Sequence, residues 1–331
     1  MPYPDHIHHG DPELVPVPAE LREQARDGLA RHVQRAAEQR RSATDWSDRA
    51  MRLTHDRTRA VLSADDEYQR GMRTLWTEFR DRVRGVDKPA ERVRSAISDE
   101  AALRFLDQPF SPLAPLTDPH LDVFAAPYAD AWTDVRGRGT PHHRQAAWAD
   151  RSTGEIGFDY QIFPEPGDIA CGAAVWVNFM RQSPGHPPGQ GPAGSAQIRT
   201  YTPYDYTWND QSSMERADNS AGFGFYVVSW DLAGGDLTVE QEYRYPQPVW
   251  DDVTDWNWNH ANPGWPVTSS DVAFWNGPQQ TPLFSIRPQR MYSAAIWCFG
   301  QARAAGDQHD HGSYAEATLA AHVRLVVVAQ Q

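Results

Sequence analysis

Residues 250–275, WDDVTDWNWNHANPGWPVTSSDVAFW, crowd five tryptophans among acids, amides and one histidine. An indole can cover the C–H face of a sugar ring while a neighbouring carboxylate or amide hydrogen-bonds its hydroxyls. Trp250, Asp252, Asp255, Trp256, Trp258, His260 and Trp265 therefore form a candidate glycan-binding set. Pro263 and Pro266 interrupt any strand pattern, so the stretch is expected to be a long loop of the kind that often carries function. A competing reading turns the indoles inward to lock the loop onto a sheet, or places them in a subunit interface, where Trp is enriched. The acids match no EF-hand spacing.

A second candidate is the triplet His309-Asp310-His311. Histidines two apart on an extended segment point the same way and can share a metal ion, with a third ligand drawn from His186, His322 or an acid. A solvated polar turn is the plainer explanation. His6, His8 and His9, and His142 with His143, read in the same way. No GxSxG, HExxH, P-loop or GxGxxG motif occurs. The two acids of a hydrolase need no sequence adjacency, so an acidic or metal-assisted hydrolase stands as a further alternative. No cofactor is expected, and the chain reads as more plausibly non-enzymatic.

The frame that must carry these groups is β. Residues 219–246 spell a hairpin: an aromatic and β-branched arm over 221–230, a turn at 231–235 with Gly234 and Gly235, and an alternating arm over 237–244. Leu237, Val239, Gln241 and Tyr243 are expected on one face of that arm, with Thr238, Glu240, Glu242 and Arg244 on the other. Further strands are expected over 156–163, 169–180, 196–208, 282–287, 291–304 and 314–329. The segments AAVWVNF at 173–179 and AAIWCFG at 294–300 echo each other and suit equivalent strands of facing sheets. The fold class is thus α+β in two parts. An N-terminal helical bundle or coiled-coil-like segment precedes an antiparallel β-sandwich of jelly-roll or Greek-key type.

The boundaries follow composition. Residues 1–18 form a flexible proline-bearing arm, 19–107 the helical domain, 108–127 a proline-rich linker, and 128–331 the β-sandwich. Leu21, Ala25, Leu29, Val33 and Ala37 recur every fourth residue, a thin apolar stripe that suits either packing between copies of the chain or packing on the β domain.

The net charge is −13, and it is uneven. Residues 1–107 hold 19 basic and 20 acidic side chains, residues 108–331 hold 12 and 24. Such an acidic β part argues against nucleic acid or an anionic membrane as a partner. No apolar run nears the roughly 18–20 residues of a membrane span. No signal peptide is read at the N-terminus, so a cytoplasmic protein is expected, with release or non-classical export as alternatives. Cys171 and Cys298 are expected as buried reduced thiols, with a single disulfide joining two strands of one core as the alternative. The whole reads as a non-enzymatic structural or interaction protein. It would form a homo-oligomer through its helical part and present a β-sandwich surface for recognition or assembly. A lectin-like module binding glycan through the Trp-rich loop is the first alternative.

Overall fold

Aromatic and β-branched residues alternating with small ones build the long strands at the centre of this protein. The structure, a computed structural model, describes residues 7–9, 17–35, 38–39, 65–67, 70–71, 74, 120–138, 144–162, 167–212, 216–235, 237–244, 249–255, 279–304 and 313–331. A central sheet runs in the order β10 (Thr238–Arg244), β9 (Arg216–Asp231), β14 (Arg290–Ala304), β6 (Gly167–Met180), β3 (Asp130–Arg138), all antiparallel. Strand β11 (Trp250–Asp255) pairs with the other half of β9.

Two shorter sheets face it across a shared core. The terminal sheet has the order β1 (Ile7–His9), β2 (His120–Ala125), β16 (Leu325–Gln330), β7 (Gly194–Tyr201), β12 (Gln279–Gln280), with β13 (Phe284–Ile286) also on β7. Only β1 and β2 are parallel among the described pairs. The polar sheet has the order β4 (Arg144–Asp150), β5 (Glu155–Ile162), β15 (Ser313–His322), β8 (Tyr204–Ser212). Phe158 and Leu319 of the polar sheet, Ile198 and Val326 of the terminal sheet, and Val175, Phe223 and Ile296 of the central sheet meet in one buried cluster. Among the described residues no helix is long and apolar enough to cross a membrane.

Several expectations change. Residues 196–208 and 314–329, each expected as one strand, are two strands apiece in different sheets. At the first break Pro203 has no N–H for a ladder. At the second, the N–H groups of Val323 and Arg324 turn to the carbonyls of Gly154 and Tyr201. Strand β2 lies inside the stretch read as a linker, and β1 inside the N-terminal arm. The two echoing segments do not face each other. They are antiparallel neighbours, β6 and β14, in register Ala174↔Trp297 and Trp176↔Ala295. Each tryptophan lies opposite an alanine, so bulk and space alternate and the ladder stays regular.

The central hairpin forms as read, with Gly234 at φ 96° in its turn. Its second arm does not keep one dry face. A bulge shifts the register between Val239 and Gln241, so Leu237 packs on the outer cluster while Tyr243 packs on the inner core.

Of the helical bundle expected over 19–107, the described residues include one long helix, α1 (residues 19–35), and separate helical residues at 38–39, 66–67, 70–71 and 74. Apart from residue 65, the remainder lies outside the described residues. The α1 stripe packs on the β domain: Ala25, Leu29 and Val33 are buried with Trp132, Trp176, Tyr226 and Trp297 on the outer face of the central sheet. A narrow stripe suffices because the sheet supplies the bulk. At Gly28 a Cβ would lie 2.2 Å from the Tyr226 hydroxyl, so only glycine lets the helix come this close. Covering Leu29 contributes about 1.5–3 kcal/mol. Cys171 and Cys298 are buried free thiols, pushed far up from their ordinary range by burial.

Candidate functional site

The Trp-rich stretch opens inside the protein. Trp250 begins β11, is 5% exposed, and donates its indole N–H to Asn219 Oδ1 at 2.8 Å. Its ring stacks on Tyr206 at 5.3 Å and leans on Phe158. It anchors the core and offers no face to a sugar. Asp252 and Asp255 sit in β11 opposite Asn219 and Arg216 of β9. Residues 250–255 form a strand, where a loop was expected, because the long β9 leaves half its edge free for them after β10 ends. Trp256, Trp258, His260, Trp265, His309 and His311 lie outside the described residues. Among the described residues no group of three or more His, Cys, Asp or Glu could hold a metal ion.

A different constellation assembles on the outer face of the polar sheet. Strands β5 and β15 alternate cleanly: Ile156, Phe158, Tyr160, Ile162, Ala315, Ala317 and Leu319 enter the core, so Gly157, Asp159, Gln161, Tyr314, Glu316 and Thr318 take the opposite face. Strand register then sets three rows across four strands. Trp148, Gly157, Ala320 and Asp205 make one; Ala146, Asp159, Thr318 and Thr207 the next; Arg144, Gln161, Glu316 and Asn209 the third. Among the described strands, those that pack substantially on this sheet belong to the central sheet, which lies on its inner side.

Arg144 organises the face. Its Nε lies 2.8 Å from Asp159 Oδ2, and its Nη2 donates to Asp159 Oδ1 at 3.0 Å and to Glu316 Oε1 at 2.8 Å. Thr318 Oγ1 donates to Asp159 at 2.9 Å, Tyr314 donates to Glu316, and Gln161 donates to the Tyr314 hydroxyl at 3.0 Å. Burial raises the Glu316 carboxyl above its ordinary value, although Tyr314 and Arg144 pull the other way. Burial also pushes the Tyr314 phenol well up, with Glu316 adding to it. Burial pulls Arg144 down, but its two carboxylates outweigh that, so it stays charged.

Asn209 differs from the rest. It is 2% exposed, stands opposite Glu316 on the same face, and neither Oδ1 nor Nδ2 has a hydrogen-bond partner among the described residues. A buried amide in that state is costly unless something completes it. Asp205, Thr207 and Thr318 are buried as well, whereas Arg144 is 43% exposed and Trp148 half-buried, so the open side is the β4 edge. The Trp148 ring lies over Gly157, where a Cβ would come within 2.4 Å of it. Behind the face, Asn219 accepts from Tyr160 Oη at 2.5 Å and donates to the Glu316 carbonyl at 3.0 Å, which ties β15 to the central sheet. The groups are thus held before any ligand arrives. The period-2 alternation within β5 and β15 was the available signal for this face; nothing local marks Arg144 or Asn209 as its members.

No family model and no curated protein matches this chain. Among solved structures, the carbohydrate-binding module TmCBM61 in complex with β-1,4-galactotriose aligns with 57% of this chain and 89% of its own, at 7% identity and a TM-score of 0.14. Infectious bursal disease virus, Gt strain, aligns with 67% of this chain and 45% of its own, at 9% identity and a TM-score of 0.13. Likenesses this slight bear on neither fold nor function.

Proposed function

We propose that this chain is a non-enzymatic recognition protein, a β-sandwich of jelly-roll or Greek-key kind, that binds a saccharide on the outer face of its polar sheet. The observation that carries the reading is the buried, unpartnered Asn209 amide beside Glu316. A sugar hydroxyl both donates and accepts, so it can complete either end of that amide, and a pair of hydroxyls can complete both. The rest of the face has the same duality: Arg144 and Thr207 donate, Asp159, Glu316 and Asp205 accept, and Trp148 supplies a flat apolar plate at the open edge. Its excess of carboxylates repels anions. This places glycan recognition on other residues than the Trp-rich stretch. Self-association is not drawn from the α1 stripe, since Leu29 and Val33 are already covered.

The test is a glycan array with the intact protein, followed by titration of the best hit. Asn209→Ala and Trp148→Ala should each weaken binding about tenfold, the size of one lost polar or stacking contact of roughly 1–1.5 kcal/mol, with little change in Tm. An empty array, or full affinity in both variants, overturns the proposal. One observation favours a hydrolase instead: Glu316 is a raised acid beside a second carboxylate. Cleavage of the bound oligosaccharide, lost in Glu316→Gln, would establish that reading. Arg144 engaging both carboxylates at once speaks for binding.

A further inference from the structure

The edge of a β-sheet presents unpaired backbone N–H and C=O groups to any strand that meets it, and proteins blunt such edges. Edges elsewhere in this molecule are blunted. Strands β1 and β12 are three and two residues long, and β10 carries its bulge. Strand β3 is held by α1, through Arg26 to Asp130 and Arg136 to Gln34. Along β8, Asp205, Thr207, Asn209 and Asp210 are buried. Strand β4 has none of these protections. It keeps unbroken register with β5 from Arg144↔Gln161 to Asp150↔Glu155, contains neither proline nor lysine, and pairs with no other described strand. Gln145, Ala146 and Asp150 are exposed, and Ala147, Trp148 and Ala149 are half-buried.

The sequence of β4, RQAAWAD, also fits itself. Turned antiparallel about Ala147, a second β4 sets Arg144 opposite the partner's Asp150 and Ala146 opposite the partner's Trp148, and the two-fold repeats both pairs. Arg144, Ala146, Trp148 and Asp150 share the outer face, so the opposite charges and the small-against-large pairs all fall on one side. On the inner side Gln145 meets the partner's Ala149, and Ala147 meets its own copy. A slip of two residues either way sets Arg144 against Trp148, or Trp148 against itself, and loses both charge pairs. The pattern selects one register. Arg144 spends Nε and Nη2 on Asp159 and Glu316, and Nη1 takes no part in those bonds. Asp150 accepts from Ser152 through Oδ1. Strand β3 packs beside β4, with Gln145 Oε1 3.3 Å from where a Cβ on Gly137 would lie. Val135, on the same side of β3, is 36% exposed, an apolar surface that a second copy at this edge would cover.

We propose that β4 is a dimerisation edge, on which two copies of this chain pair β4 with β4, antiparallel about Ala147, into one eight-stranded sheet. Each protomer supplies the four strands of its polar sheet. The two outer faces then run on as one surface, and the partner's Trp148 stands beside Ala146, in the row of Asp159 and Thr207. One short edge makes a small interface, so the dimer forms and parts with concentration. It rests on β4 and not on saccharide binding. With both in place, the paired faces engage a repeating polysaccharide more tightly than either face alone.

Sedimentation equilibrium of the full chain, carried to about 100 μM, should show a monomer–dimer equilibrium. Asp150→Arg sets arginine opposite arginine at both ends of the pairing and should raise the dissociation constant at least tenfold. Ala146→Trp sets indole against indole and should do the same through a different contact. Cysteines read the register. Ala147→Cys faces its own copy with Cα atoms about 4.5–5.5 Å apart, within disulfide reach, and should cross-link on mild oxidation. Gln145→Cys should not link to itself, but should link to Ala149→Cys when the two are mixed. Cys171 and Cys298 are buried and do not compete. A monomer throughout that concentration range overturns the proposal. So does a dimer indifferent to both Asp150→Arg and Ala146→Trp, or cross-linking of Gln145→Cys to itself as efficient as that of Ala147→Cys. An empty glycan array changes none of these readouts, so the two proposals fail separately.

Discussion

At Asn219 one side-chain amide serves three partners, accepting from Tyr160 and Trp250 and donating to the backbone of Glu316. Asn219→Leu leaves the Trp250 N–H buried without its acceptor, while Tyr160 keeps its 3.3 Å bond to the Gln301 carbonyl. The expected loss is about 1–3 kcal/mol, read by urea unfolding, with a further drop in glycan affinity because β15 is no longer tied. Glu316 titrates in the direction burial dictates. Its folded value lies above its ordinary one, so between the two the folded chain binds more protons than the unfolded chain. Its contribution is most favourable below the ordinary carboxylate range and declines as pH rises through that window. Glu316→Gln should flatten this part of the Tm–pH curve; an unchanged curve would mean that Arg144 and Tyr314 already offset burial.

Elements depend on each other in a way that their own sequences do not announce. The thin α1 stripe looked equally suited to a second copy of the chain and to the β domain, and it lies on the β domain. Leu29→Ala should therefore cost about 2–5 kcal/mol with no change in solution mass by light scattering, and a fall in mass would show the stripe to be intermolecular. A fragment beginning at residue 120 bares six aromatic side chains of the central sheet. It is expected to bind ANS and to aggregate, and recovery of a soluble species on adding a peptide of residues 17–35 would show that the helix is what covers them. The same dependence shapes β10, where Glu240 is the extra residue. Alternation in 237–244 is real on each side of the bulge, but the two halves count from opposite faces.

At the scale of the molecule, three sheets close on one core, and a single charge placed in it should be felt everywhere. Val227 is fully buried in the core that the three sheets share. Val227→Asp should abolish cooperative folding of the whole β part, seen as loss of near-ultraviolet circular dichroism, because an unpaired carboxylate there has no partner. The sequence by itself determined which side chains of a strand share a face. In 155–162 and 313–322 the period-2 pattern separates core from surface residue by residue, and it marks the 219–246 hairpin as well. Only the tertiary structure decided which strands are neighbours, and so brought Arg144, Asp159, Asn209 and Glu316 together. It also moved Trp250 from a presumed loop into the core and split 196–208 at Pro203. The reason is physical. Strands pair through backbone N–H and C=O groups that nearly every residue carries alike, so a partner 100 or more positions away, as Glu316 is from Asp159 and Asn209, leaves no local trace.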